Sequence, residues 1–366
     1  MTANDIRNIC LLGHGGSGKT TLAEQMLFMT KGTDRLGRTA DGNTVCDYDA
    51  EEIKRQISIS LAFAPVKYKD VRINVMDAPG NFDFSGEAIS AIRAAECAVL
   101  VGAAKDGLSV GMERSWKLLG KKPRMIFVNR TDEDNSDYNA TFEALRARFG
   151  NKIAPLVVPI WDEGKKVTGI IDVLNKRAYE MQDQKRVEIE IPEGKDAVIE
   201  EFNNALKESV AETSEEFMDK FFGGEDFTYA EMIQGLRQGV RELSLFPVLC
   251  GSAVNTMGSL MLMDNIVELM PNPAEGNMRK GVAPDGTKEE FAVAPGGVPC
   301  AFVFKTVSDQ YGKYSFIKVL SGNITSDLTL VDSRTGNNEK LGRLYIMRGK
   351  KAEEVKELSC GDIGAI

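Results

Sequence analysis

Eight residues near the start constrain this chain more than anything else in it: Gly13-His14-Gly15-Gly16-Ser17-Gly18-Lys19-Thr20, in the pattern G-x-x-x-x-G-K-T. The apolar run Ile9-Cys10-Leu11-Leu12 before it reads as a buried strand, and Lys19 to Phe28 after it is apolar at helical spacing. Small residues let successive backbone N–H groups close around an anion, at a helix N-terminus whose dipole favours negative charge. In that setting residues Gly13 to Thr21 cradle phosphates, Lys19 neutralises the outer ones, and Thr20 offers its hydroxyl to Mg2+. A strand, glycine turn and helix in this order commit the region to an open α/β sheet.

The rest of the pattern agrees. Strands are predicted at 58–65, 71–76, 98–103, 124–128 and 246–250, with helices through 88–95, 112–119 and 260–269. Near-continuous apolar strands alternating with helices are expected of a parallel sheet covered on both faces. Three of these strands end in polar sequence. Asp77-Ala78-Pro79-Gly80 offers a carboxylate to Mg2+ and the Gly80 amide to a terminal phosphate. In Asn129-Arg130-Thr131-Asp132, Asp132 can accept from N1–H and N2–H2 of guanine, a donor pair that adenine lacks, which argues for GTP over ATP. Gly251-Ser252-Ala253 can support the base through backbone amides. Each is weak alone; four in order, at the strand ends where such sheets bind ligands, point to GTP or GDP with Mg2+.

Elsewhere the signals are broader. Residues 30–56 are polar with three glycines and read as a long mobile loop. A strand pair is expected over 156–175 with Gly164 at its turn, then two or three acidic amphipathic helices over 195–242. Residues 272–296 read as a Pro/Gly-rich linker, and the short alternating strands from Pro299 onward as a small antiparallel β-barrel. The net charge is −9, and residues 180–245 alone hold 17 Asp plus Glu against 7 Lys plus Arg. That argues against nucleic acid at this segment and fits a basic protein patch, or simply a solvated set of helices. The longest apolar run, Cys97 to Ala104, is far below the roughly 20 residues of a membrane span. The opening Met-Thr-Ala-Asn-Asp-Ile-Arg has no leader pattern, so a cytoplasmic protein without membrane contact is expected. Six dispersed cysteines make no CxxC spacing, and a single histidine, His14, rules out a multi-His metal site.

The succession GHGGSGKTT, RQISIS, DAPGNFDF, NRTD and GSA resembles the translational GTPases, and among them elongation factor G. The resemblance implies a P-loop NTPase G domain of the α/β class over residues 1–275, with an α+β insertion subdomain at about 157–245. A linker at 276–296 and an antiparallel β-barrel domain at 297–366 would follow. The chain stops within an apolar strand at Ile366, so that domain is expected to be truncated and the family's further domains to be missing. The implied activity is hydrolysis of GTP to GDP and phosphate, slow in isolation and stimulated by the ribosome, in a translocation-type step. The implied partners are the factor-binding region of the large ribosomal subunit and a stalk protein meeting the acidic insertion at 180–245, with the chain itself a monomer. Two alternatives stay open: a ribosome-docking nucleotide switch with weak hydrolysis, and a ribosomal-protection or release-factor-like GTPase.

The departures from the family pattern are specific. Where the family has RGITI, this chain has Arg55-Gln56-Ile57-Ser58-Ile59, so Ser58 replaces the Mg2+-binding threonine and keeps its hydroxyl. Where DTPGH ends in a water-orienting histidine, this chain has Asn81, which can hydrogen-bond water but cannot become positive. With Lys19, Gly80 and Asn81 as the catalytic set, hydrolysis is expected to be slower by something on the order of 10²-fold, the cost of one transition-state contact. Gly15 and Gly16 stand where the family often has a bulky aliphatic residue and an aspartate, which with Asn81 indicates a divergent elongation-factor-G-like branch. Arg130 replaces the usual lysine, and its stem can still lie against a guanine ring. His14 reads as a packing residue, with an acid–base role as the alternative.

Overall fold

In the computed structural model, residues 1–150, 152–162, 167–276, 279–282, 286–309 and 312–366 are described. The central sheet grows around β1 (Ile6–Leu12), buried along its whole length. After it come α1 (Lys19–Met29), α2 (Ala50–Arg55), β2 (Ala62–Tyr68), β3 (Val71–Asp77), α3 (Ser85–Ala94), β4 (Cys97–Ala103), α4 (Val110–Leu119), β5 (Arg124–Asn129), α5 (Tyr138–Phe149) and β6 (Ile153–Pro155). An inserted unit follows, with β7 (Val157–Trp161), β8 (Val167–Asp172), β9 (Arg177–Gln182), β10 (Lys185–Ile189), α6 (Asp196–Ala211), α7 (Glu215–Phe222) and α8 (Tyr229–Glu242). The chain then returns to the sheet as β11 (Phe246–Cys250) and α9 (Ser259–Leu269).

The sheet order is β2-β3-β1-β4-β5-β11-β6. All neighbours are parallel except β2 and β3. The fully buried β1, β4, β5 and β11 explain the uninterrupted apolar runs, because helices cover both faces of a parallel sheet. The carboxyl ends of β1, β3, β5 and β11 therefore open onto one edge. The inserted unit forms its own antiparallel sheet, β10-β9-β8-β7. It is tied to α9 at Asp264, whose carboxylate accepts from Tyr68 (2.8 Å), Lys69 (2.6 Å) and Arg186 (2.6 Å).

The later part is antiparallel: β12 (Arg279–Val282), β13 (Lys288–Phe291), β14 (Cys300–Asp309), β15 (Gly312–Ser321), β16 (Ile324–Thr325), β17 (Thr329–Val331), β18 (Asn338–Lys340), β19 (Leu344–Arg348), β20 (Lys351–Val355), β21 (Glu357–Leu358) and β22 (Ile363–Ala365). Among the described residues the strands after β13 pair in three ladders, β14-β15-β22-β19-β20, β16-β21 and β17-β18. Ile317, Val319, Ile324, Leu344 and Leu358 form a core of their own. This unit seals against the central sheet. Phe316 stacks on Phe63 at 4.5 Å, Gly349 N donates to Phe63 O at 2.8 Å, and fully buried Lys318 pairs with Glu96.

Several sequence expectations change. The strand expected at 58–65 begins only at Ala62, because the amides of residues 59–61 are taken by side-chain carboxylates. The stretch 30–56 carries α2 and is pinned: Asp49 caps that helix in a capping box with Glu52, and buried Glu24 accepts from the amides of Val45 (2.7 Å) and Cys46 (3.0 Å). Three helices fill 195–242, within the two or three expected, while α5, β6, β9 and β10 are additions to the sequence reading. The expected linker at 272–296 contains the hairpin partners β12 and β13. The strand pair at 157–171 is β7 with β8, and Gly164 between them lies outside the described residues.

Candidate functional site

The turn after β1 is built for close approach. Gly18 caps α1 in the left-handed region at φ +89°, and a Cβ there would run into the Asn129 amide. Gly80 touches the same turn from the end of β3: a Cβ on it would lie 2.5 Å from Lys19 Nζ and 2.6 Å from Gly15 N. Lys19 is 5% exposed, and its ammonium donates to the carbonyls of His14 (2.9 Å) and Gly13 (3.3 Å). Burial pulls its pKa down, while the charges of Asp77 and Asp47 oppose that shift. A cavity of about 550 Å³ opens here. It is lined by His14, Gly15, Gly16, Gly18, Lys19, Thr20 and Thr21, by Asp47 and Ser58, by Gly80 and Asn81, and by Arg130. Gly13, buried Ser17, Ala78 and Pro79 stand behind this wall rather than in it.

Three hydroxyl and carboxylate groups meet beside Lys19. Thr20 Oγ1 donates to Asp77 Oδ2 at 2.6 Å and lies 3.0 Å from Ser58 Oγ. Asp47, 3% exposed, joins them through its bond to Ser58. Burial first, and the Asp47 charge second, push Asp77 up to about 7 against the hydrogen bond from Thr20 and the charge of Lys19. Burial likewise raises Asp47. Oδ1 of Asp77 and Oδ1 of Asp47 are buried with no hydrogen-bond partner. Orphaned carboxylate oxygens beside two hydroxyls fit a small divalent cation. Among the described residues no group of three or more His, Cys, Asp or Glu forms a cage. Mg2+ takes one or two carboxylates and fills its octahedron with water and other oxygen ligands.

At the other end of the cavity Asn129 sutures two loops. Its Nδ2 donates to Ser17 O (3.0 Å), and its Oδ1 accepts from Ala253 N (2.9 Å). Gly251 is held by Val128 O and by Thr131 Oγ1 (3.0 Å each), and buried Ser252 bonds the amide of Asn255 through Oγ at 3.2 Å. Arg130, at φ +58°, reaches the cavity wall while its guanidinium holds Glu133 at 2.6 Å. Asp132 sits outside the wall, with Oδ2 accepting from Asn255 at 3.1 Å. The four sequence motifs are thus brought to one edge, Asp132 at its rim.

Asn81 also faces this space, with Oδ1 3.8 Å from where a Cβ on Gly15 would stand. The His14 ring meets Phe82 edge-on at 6.1 Å, and the Arg114 guanidinium covers Phe82 at 4.6 Å. Sequence reasoning missed Asp47, Glu24, Glu52 and Glu87. The Asp49-x-x-Glu52 spacing was a readable capping signal; the other three carry no local signal.

Residues 4–272 match the family described as the elongation factor Tu GTP binding domain, and residues 299–366 match elongation factor G domain 2. A crystal structure of a protein from Thermus thermophilus superposes with a TM-score of 0.88 at 31% sequence identity. The match covers 99% of this chain and 52% of that one, so the chain spans about half the length of that relative.

Proposed function

The chain belongs to the elongation factor Tu GTP binding domain family, and from that premise we propose that it hydrolyses GTP to GDP and phosphate as an elongation-factor-G-like protein acting on the ribosome in a translocation-type step. The observation that carries this reading is the meeting of Thr20, Ser58 and Asp77 beside Lys19, at the wall of a cavity that Gly15, Gly16, Gly18 and Gly80 help to line. In it, the amides of residues 13–21 and the ammonium of Lys19 hold the phosphates, and the Gly80 amide faces the terminal one. Thr20, Ser58 and Asp77 would hold Mg2+, which when bound offsets phosphate charge. Asn129 fixes the loops around the base, the amides of Gly251, Ser252 and Ala253 support it, the Arg130 stem covers it, and Asp132 selects guanine by accepting from its N1–H and N2–H2. The proposed division is a G domain over 1–275 with its insertion at about 157–245, a linker at 276–296 and a second domain from 297. The setting is cytoplasmic and the chain monomeric. Among the described residues no helix is long and apolar enough to cross a membrane.

Asn81 orients the attacking water by hydrogen bonding but stays neutral, so chemistry is slow without the ribosome. GTP turnover with and without ribosomes, comparing wild type with Asn81→His, tests this. We expect ribosome stimulation in both, and a rise in the variant on the order of 10²-fold. Absence of stimulation in both would leave the second reading, a ribosome-docking switch with weak hydrolysis, which the neutral Asn81 facing Gly15 and Gly16 in the cavity wall favours. Equal affinity for ATP and GTP would remove the guanine role of Asp132.

For the partner, the exposed carboxylates of α6 and α7 suit a basic protein such as a ribosomal stalk component. Reversing Glu200, Glu208, Glu215 and Glu216 should slow association at low salt. Unchanged association would return these helices to plain solvation.

A further inference from the structure

Ser58, the loop hydroxyl at the proposed cation position, is followed by three amides that no strand partner takes. Ile59 N and Ser60 N donate to Glu52 Oε1 at 2.9 and 3.0 Å, and Leu61 N donates to Glu87 Oε2 at 2.6 Å. Glu52 belongs to the loop's own helix α2. Glu87 belongs to α3, which follows the Asp77–Asn81 turn, and the same Oε2 pairs with Lys305 Nζ from β14 in the second unit. Lys305 is 8% exposed, so its charge is committed to this contact. The second unit also grips the loop elsewhere, since Arg348 donates to Gly32 O at 2.9 Å near its start and Gly349 N to Phe63 O at 2.8 Å just past its end.

One carboxylate thus joins the loop that carries Ser58, the helix that follows Asp77, and a buried lysine of the next unit. We propose that Glu87 and Lys305 are positioning residues: Lys305 holds the Glu87 carboxylate under Leu61 N, which fixes the end of the loop and so sets Ser58 against Thr20. A charge-assisted bond is the stronger kind and is felt most where it is shielded from water. The occupancy of the cation position therefore depends, by way of α3, on a lysine that stands 218 positions beyond Glu87 in the chain. This rests on the reading of Ser58 given above, and the test separates the two.

Amide hydrogen exchange of the full chain without nucleotide reads the tether directly. Lys305→Met should speed exchange at residues 59–61 roughly tenfold, the size expected for a weakened charge-assisted hydrogen bond. Lys305→Arg should keep the wild-type rates. In Mg2+, Lys305→Met should also lose roughly fivefold of its preference for a non-hydrolysable GTP analogue over GDP, since only the former engages the loop. Wild-type exchange at Leu61 in folded Lys305→Met overturns the proposal. Should that variant fail to fold, Glu87→Gln carries the test: it keeps an acceptor but not the charge, and unchanged exchange at Leu61 overturns the proposal equally. If wild type binds no GTP analogue, the functional reading fails while the exchange rates still decide the tether.

Discussion

The glycine-lined cavity and the seam between the two large units both bury charge, and they treat it differently. In the seam the carboxylates of Glu96 and Asp362 both find donors. Lys318 meets Glu96, Asn8 donates to Glu96 at 2.7 Å, Asn74 donates to Asn8 at 2.8 Å and to Asp362 at 2.9 Å, and Arg72 closes on Asp362. At the cavity, Asp47 in its wall and Asp77 just behind it each keep a buried carboxylate oxygen without a partner. A buried unsatisfied oxygen costs about 1–3 kcal/mol, so two of them beside the Thr20 and Ser58 hydroxyls call for a further partner.

Substitutions can break that comparison. The largest effect is expected at the seam: Lys318→Met strands Glu96 and should cost about 3–5 kcal/mol in urea unfolding, while folded protein keeps its nucleotide affinity. In the cavity, Lys19→Ala should leave unfolding of the nucleotide-free chain nearly unchanged and lower GTP affinity by about 100-fold in calorimetric titration, the worth of hydrogen bonds to a charged group. Equal destabilisation by both variants would make the cavity structural and erase the distinction.

The smallest effect tests a further paired carboxylate. Burial alone would raise Asp264, but hydrogen bonds from Lys69, Arg186 and Tyr68 outweigh it and hold its carboxyl below the ordinary value. A depressed folded pKa gives stability that is complete above the unfolded value, about 3.9, and is lost as pH falls through the folded one. Asp264→Asn should therefore cost about 2 kcal/mol at pH 7. Its gap from wild type should hold down to about pH 4 and close below that. A gap that widens in acid would contradict the paired state of Asp264.

Most of the central sheet was legible because its strands are buried on both faces and so carry unbroken apolar runs, as in Cys97–Ala103 and Phe246–Cys250. The turn after β1 was legible for a different reason: close backbone approach demands small residues at set spacing, which leaves a pattern in one short segment. Helix α5 escaped notice although Tyr138, Thr141, Phe142 and Leu145 are buried at helical spacing behind an Asp137 cap, because the polar run 132–137 before it masks its start. Strands β9 and β10 alternate only weakly, with few buried positions. In the region read as a mobile loop, the anchors Glu24 and Glu87 lie outside the loop, so its own composition could not report them.

What the sequence determined by itself was local: most strands and helices of the central sheet, and that Gly13 to Thr20, Asp77 to Gly80, Asn129 to Asp132 and Gly251 to Ala253 follow or end buried strands. Hydrophobic period and backbone sterics act over a few residues, so they leave their record in order along the chain. Only the tertiary structure decided that Asp47 stands against Ser58, that Asn129 joins Ser17 to Ala253, and that Lys305 reaches Glu87. These are meetings of single polar groups from distant segments, and no periodicity encodes them, because burial pairs charges by proximity in space.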